Sequence, residues 1–141
     1  MTIRMEHANL NVRHFDDAVR FLTTAFPDFR VRSESVRDGL RWMHIGTDET
    51  YIALNETLFD GEDTKSPYDN KPGINHLGYE VDDVDALRER LAAGGFRDST
   101  YPNKHPHRKR VYFYDADGND WEFVQYFSAR SSERNDYDLP D

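Results

Sequence analysis

The feature that most constrains this chain is a repeat. "EHANLNV" at residues 6–12 and "NHLGYEV" at 75–81 are both strand-like, each with a histidine in its second place and a valine at its end. At an offset of 69 residues, close to half of the 141, His7 falls on His76, Val12 on Val81, Asp16 on Asp85 and Leu22 on Leu91. Chance supplies one or two such matches, but it rarely supplies them in phase with the same order of elements. A duplication on this scale sets the architecture, because one supersecondary unit must be built twice.

The order of elements follows from periodicity. Residues 4–12 alternate, with Ala8, Leu10 and Val12 on one face and His7, Asn9 and Asn11 on the other. "FDDAVRFLTTAF" then puts Ala18, Phe21, Leu22 and Ala25 at helical spacing, with Asp16 as the expected N-cap and Pro27 as the stop. Strands are expected over 29–36, 40–46 and 50–56, the last two joined by a turn at Gly46, Thr47 and Asp48. After the aperiodic polar stretch 58–73 the order recurs. "INHLGYEV" reads as a strand, and "DVDALRERLAAGG" as a helix with Val84, Leu87 and Leu91 inward and a Gly94–Gly95 C-cap. "FRDSTY", 109–115 and 120–127 supply three more strands. Each half therefore reads strand, helix, strand, strand, strand.

Composition narrows the chemistry. No run approaches the ~20 apolar residues of a membrane span, and the first residues lack a signal peptide's apolar segment, so a cytoplasmic protein is expected. Without cysteine, only His, Asp and Glu remain as strong metal ligands. A net charge of −9 argues against a nucleic-acid backbone as partner. Part of that acidity lies in "SSERNDYDLPD" (131–141), which has almost no apolar residue to anchor it. Residues 128–141 are expected to be a poorly ordered acidic tail.

The duplicated order, with "EHANLNV" and "NHLGYEV" opening the two halves and "VYFYDADGNDWEFV" closing the second, resembles the vicinal oxygen chelate superfamily. This is the group of glyoxalase I, extradiol dioxygenases, fosfomycin-resistance enzymes and bleomycin-binding proteins. The resemblance covers about residues 3–127. It implies an α+β fold of two tandem βαβββ modules whose curled mixed sheets surround a cavity. Residues 1–127 would form a single domain, with module one at 3–57, a linker at 58–73 and module two at 74–127. Relatives are commonly dimers, so a homodimer is expected.

The resemblance also implies a ligand set. Metal-using relatives draw ligands from the first and fourth strands of each module, which here offers His7, His76 and Glu122. The module-one counterpart of Glu122 is Ala53, so the carboxylate is not duplicated. Glu56, three residues on, leaves by the opposite face of its strand and is rejected as a replacement. Two imidazoles and one carboxylate with an open position suit iron, manganese, nickel or zinc, and leave room for substrate oxygens. The expected function is a divalent-metal-dependent dioxygenase or lyase/isomerase acting on a small oxygenated, possibly anionic, molecule. One alternative is a fosfomycin-resistance-type thiol transferase or hydrolase. That reading lacks the histidine-glycine-leucine-arginine ending, because Glu122 is followed by "FVQYFSARSSERN". The other is a metal-free small-molecule-binding protein of the bleomycin-resistance kind. Glyoxalase itself is disfavoured by Ala53, since those relatives carry a glutamate at both places.

Further candidates come from alternation and from charge. Asn9 shares a strand face with His7, while Tyr51 and Asn55 share one with Ala53, so all three are expected to contact substrate if the sheet curls. Tyr112 resembles a tyrosine of the fosfomycin-resistance enzymes and is assigned with Glu122 to catalysis, a half-buried packing role being the other reading. "KHPHRKR" (104–110) is the one basic cluster. It reads either as a solvated loop or as a lid bringing Lys104, His105, His107 and Arg108 to an anion. "DADGND" (115–120) is a hairpin turn, since its glycine stands fourth where a calcium loop needs it sixth. His14 and His44 have no repeat partner and are taken as structural.

Overall fold

The computed structural model describes residues 1–61 and 68–141; residues 62–67 of the expected linker lie outside the described residues. The chain forms two compact units, Met1–Glu62 and Asp63–Asp141.

The first unit contains β1 (His7–Val12), α1 (Phe15–Ala25), β2 (Arg30–Arg37), β3 (Leu40–Gly46) and β4 (Tyr51–Glu56). Its sheet has the order β1-β4-β3-β2, with β1 parallel to β4 and the other pairs antiparallel. The α1 face expected from spacing is the one that packs: Ala18, Phe21, Leu22 and Ala25 are buried, joined by Phe15. They meet a sheet face whose buried members include Met43, Ile45, Ile52 and Leu54. The cap differs from expectation. His14 precedes the helix and makes no side-chain cap, while Asp16 lies inside the first turn and pairs with Arg41 at 2.7 Å. A partner from β3 outcompetes the local backbone for that carboxylate.

The second unit repeats the plan with β5 (His76–Glu80), α2 (Val84–Ala93), β6 (Arg97–Asp98), β7 (Arg108–Tyr114) and β8 (Asp120–Tyr126). The sheet order β5-β8-β7-β6, with β5 parallel to β8, reproduces the first. Two mixed four-stranded sheets, each from a βαβββ run, are thus the tandem architecture that the repeat implies. Asp83 caps α2 by accepting from Ala86 N–H at 2.9 Å, and Val84, Leu87 and Leu91 are buried. They join Val111, Phe113, Trp121 and Phe123 in the core. Gly95 ends the helix at φ +81°, a conformation that a Cβ disfavours. The β7–β8 hairpin turns on Asp115, whose buried carboxylate accepts from Trp121 Nε1 at 3.0 Å and from the Asp117 and Asn119 N–H groups. Burial pushes that carboxyl above its usual range, against the pull of these bonds.

Residues 128–141, expected as a poorly ordered tail, carry a helical turn, α3 (Ser131–Arg134), and a set of contacts onto the second sheet. Arg134 reaches Glu80 at 2.6 Å and lies 3.9 Å from the centre of the Tyr126 ring. Asp141 pairs with Arg108 and Arg110. The segment has few apolar residues, and ion pairs to a distant strand hold it instead.

Candidate functional site

Strand register assembles the second-unit site. Gly78 on β5 and Tyr112 on β7 both stand opposite Glu122 on β8, so the three form one row across neighbouring strands and share a face. His76, two residues before Gly78, is on that face as well. Its Nε2 lies 2.9 Å from Glu122 Oε2. On the other side of the ring, Nδ1 is 2.7 Å from Asn75 Oδ1. An amide oxygen only accepts, so Nδ1 donates to Asn75 while Nε2 faces the carboxylate. That arrangement needs a proton or a cation between them. The 2.9 Å separation is a hydrogen-bond distance, and an imidazole nitrogen beside a carboxylate is a donor set that would suit a divalent cation. The Asn75 contact is also the usual way a ligating histidine is held in one tautomer.

Around this pair the site is half-buried and polar. Arg110 Nη1 is 3.9 Å from Glu122 Oε1. Tyr112 is buried, its hydroxyl 3.3 Å from that of Tyr101, which stacks on it with ring centres 5.1 Å apart. The Tyr112 ring stands edge-on to His76 at 5.8 Å. Burial, the Tyr101 hydroxyl and the Glu122 charge all push the Tyr112 hydroxyl far above the usual phenol range. These surroundings favour the protonated hydroxyl of Tyr112. Asp120, one row away, accepts from Ser99 Oγ at 2.8 Å and from the Tyr68 hydroxyl.

The first-unit counterpart is built differently. His7 stands opposite Tyr51 and stacks on it at 4.7 Å, and His44 also lies against Tyr51 at 4.7 Å. Asn9 stands opposite Ala53, and its side chain accepts from Asn55. The register puts His44 opposite Ala53, as Tyr112 is opposite Glu122. His44 therefore has a counterpart by register, in Tyr112. The β7–β8 turn is one residue longer than the β3–β4 turn, so a constant offset of 69 aligns Tyr112 with Met43 and hides the match. Cross-strand register would have revealed it. On this unit a cavity of about 450 Å³ is lined by Leu40, Trp42, His44, Asn55, Arg41 and Glu56, among others. Glu56 itself is held by Arg41 at 3.1 Å.

The basic loop separates into two kinds of residue. Lys104 is exposed and His107 half-buried, its N–H donating to His105 Nδ1 at 3.1 Å. Arg108 is buried, with its guanidinium committed to Asp141 and to the Arg134 carbonyl, so it does not reach outward as a lid residue would. Arg110, absent from the sequence-based candidates, is the basic residue beside Glu122. Among the described residues no group of three or more His, Cys, Asp or Glu side chains converges as a metal site, and no helix is long and apolar enough to cross a membrane.

Comparisons with known proteins agree with this architecture. No curated protein matches the chain. A glyoxylase/bleomycin resistance protein/dioxygenase domain from Frankia sp. EAN1pec is 26% identical, with a TM-score of 0.71 over 89% of this chain and 99% of that one. The fosfomycin resistance protein FosX from Listeria monocytogenes is 20% identical, with a TM-score of 0.71 over 95% and 99%. A second FosX structure from that organism, complexed with Mn(II) and sulfate, is 20% identical with a TM-score of 0.69 over 95% and 98%. The family described as Glyoxalase/Bleomycin resistance protein/Dioxygenase superfamily matches residues 4–123, and the chain belongs to it.

Proposed function

We propose that this protein is a divalent-metal-dependent enzyme, a dioxygenase or lyase/isomerase, acting on a small oxygenated molecule. The observation that carries the reading is the His76–Glu122 pair. A ring nitrogen faces a carboxylate oxygen at 2.9 Å while the ring's other nitrogen is already engaged by Asn75. His76 and Glu122 would be two ligands, and His7 is carried as the third on its equivalent place in module one alone. A metal bound there would polarise a substrate oxygen and stabilise the charge that develops on it. The chain's own residues would do the rest. Asn75 fixes the tautomer of His76, Arg110 restrains Glu122, and the neutral Tyr112 hydroxyl donates a hydrogen bond toward substrate. The manganese found with a FosX neighbour supports trying that ion first, with epoxides as substrates; catechols are the choice if iron is found.

The test is metal content by mass spectrometry on protein purified without chelator, with the molecular mass measured by light scattering because a homodimer is expected. Near-stoichiometric metal that is lost in His76→Ala and Glu122→Ala, and retained in Glu56→Gln, supports the reading. No metal in the wild type, and no uptake when manganese, iron, nickel or zinc is supplied, sinks it. The cavity beside Trp42 and His44 favours a second reading in that event, a metal-free small-molecule-binding protein.

A further inference from the structure

Two arginines of β7 enclose a carboxylate supplied by the chain itself. Arg108 and Arg110 are two residues apart on one strand, so their side chains leave by the same face. Both are withdrawn from water, at 8% and 16% side-chain exposure. The Asp141 carboxylate bridges them. Its Oδ1 accepts from Arg108 Nε at 3.4 Å and lies 3.2 Å from Arg108 Nη2, and its Oδ2 lies 2.5 Å from Arg110 Nη2. Each oxygen is thus claimed by a different guanidinium. Arg110 Nε is left buried with no hydrogen-bond partner, a costly state for a donor.

The occupant is the removable part. Asp141 is 40% exposed, against two arginines that are nearly enclosed. The rest of its segment has anchors elsewhere: Arg134 on Glu80 and Tyr126, and the Asp136 carbonyl 2.9 Å from His105 Nε2. Asp141 can therefore leave without its segment detaching. Arg110 also points Nη1 toward Glu122, which puts the anion position next to the His76–Glu122 pair.

We propose that Arg108 and Arg110 form a binding site for an anionic group, a carboxylate or a tetrahedral oxyanion such as a phosphonate or phosphate, and that Asp141 closes it as an internal competitor. The substrate class that follows is a small oxygenated molecule bearing such a group near the oxygen that reacts. This deepens the reading of the second-unit face as the ligand-binding one, but it does not depend on a metal.

The experiment is titration calorimetry of metal-free full-length protein with inorganic phosphate and, separately, acetate at constant ionic strength. An internal competitor lowers apparent affinity by the fraction of time it leaves the site free. Asp141→Asn should therefore bind phosphate at least about fivefold more tightly than the wild type. Asp138→Asn, which makes the same charge change at an exposed position of the same segment, should leave affinity as it was. Arg110→Met in the Asp141→Asn background should abolish binding while circular dichroism shows a folded chain. Equal gains from Asp141→Asn and Asp138→Asn would reduce the effect to net charge and overturn the proposal, as would binding that survives Arg110→Met. Because no metal is present, a failure here is distinct from a failure to find metal at His76 and Glu122.

Discussion

The Tyr112 side chain is held by its surroundings in one protonation state. Its hydroxyl is buried, bonded to Tyr101 and beside a carboxylate, all of which keep it protonated. Tyr112→Phe removes one neutral hydrogen bond whose partner is itself half exposed, so stability should fall by about 1 kcal/mol in urea unfolding. Metal content should be unchanged, since a neutral phenol is no ligand here; its loss would give Tyr112 a larger part than a donor has. Ala53 is the corresponding lesson in module one. With a methyl where module two has Glu122, the His7 ring stacks on Tyr51, the His44 ring lies tilted against it, and no carboxylate sits opposite His44.

At the scale of elements, the first sheet is clamped to its helix by charge. Arg41 on β3 holds Glu56 on β4 through its side chain at 3.1 Å and through its own N–H at 2.9 Å, and reaches Asp16 of α1 with its remaining nitrogen. The Arg41 side chain, then its backbone N–H, draws the Glu56 carboxyl below the usual glutamate range. A depressed carboxyl stabilises the folded state fully above its unfolded value, near about 4, and ceases to do so as pH falls through the lower folded one. Thermal melts from neutral pH downward should show wild-type stability declining in that acid window. Glu56→Gln should be less stable at neutral pH and should decline less steeply on acidification. Parallel profiles for the two proteins would mean the clamp contributes nothing.

At the scale of the whole molecule, the reading of residues 1–127 as one domain makes a thermodynamic prediction. Each unit carries one tryptophan, Trp42 in the first and Trp121 in the second. In a Trp42→Phe background, Trp121 emission reports the second unit alone. Phe21→Ala, which empties a fully buried site in the first unit, should cost about 3–5 kcal/mol. For a single cooperative domain the Trp121 midpoint in urea should fall by that free energy divided by the m-value; an unmoved midpoint would make the units separate domains. Much of the architecture was legible because it rests on local periodicity. The buried faces of α1 and α2, the alternation of β1 and β5 and the repeated order of elements all follow from side-chain spacing along the chain. Four things were not legible: His44 opposite Ala53, Asp16 turned from cap to ion-pair partner, Arg110 beside Glu122, and the docking of residues 128–141. Each depends on strand register or on charges far apart in sequence. By itself the sequence determined which elements form, and their family, since these follow from patterns a few residues long. Only the tertiary structure decided which charges meet, because a one-residue difference in a turn or a distant arginine changes the partner while leaving the pattern intact.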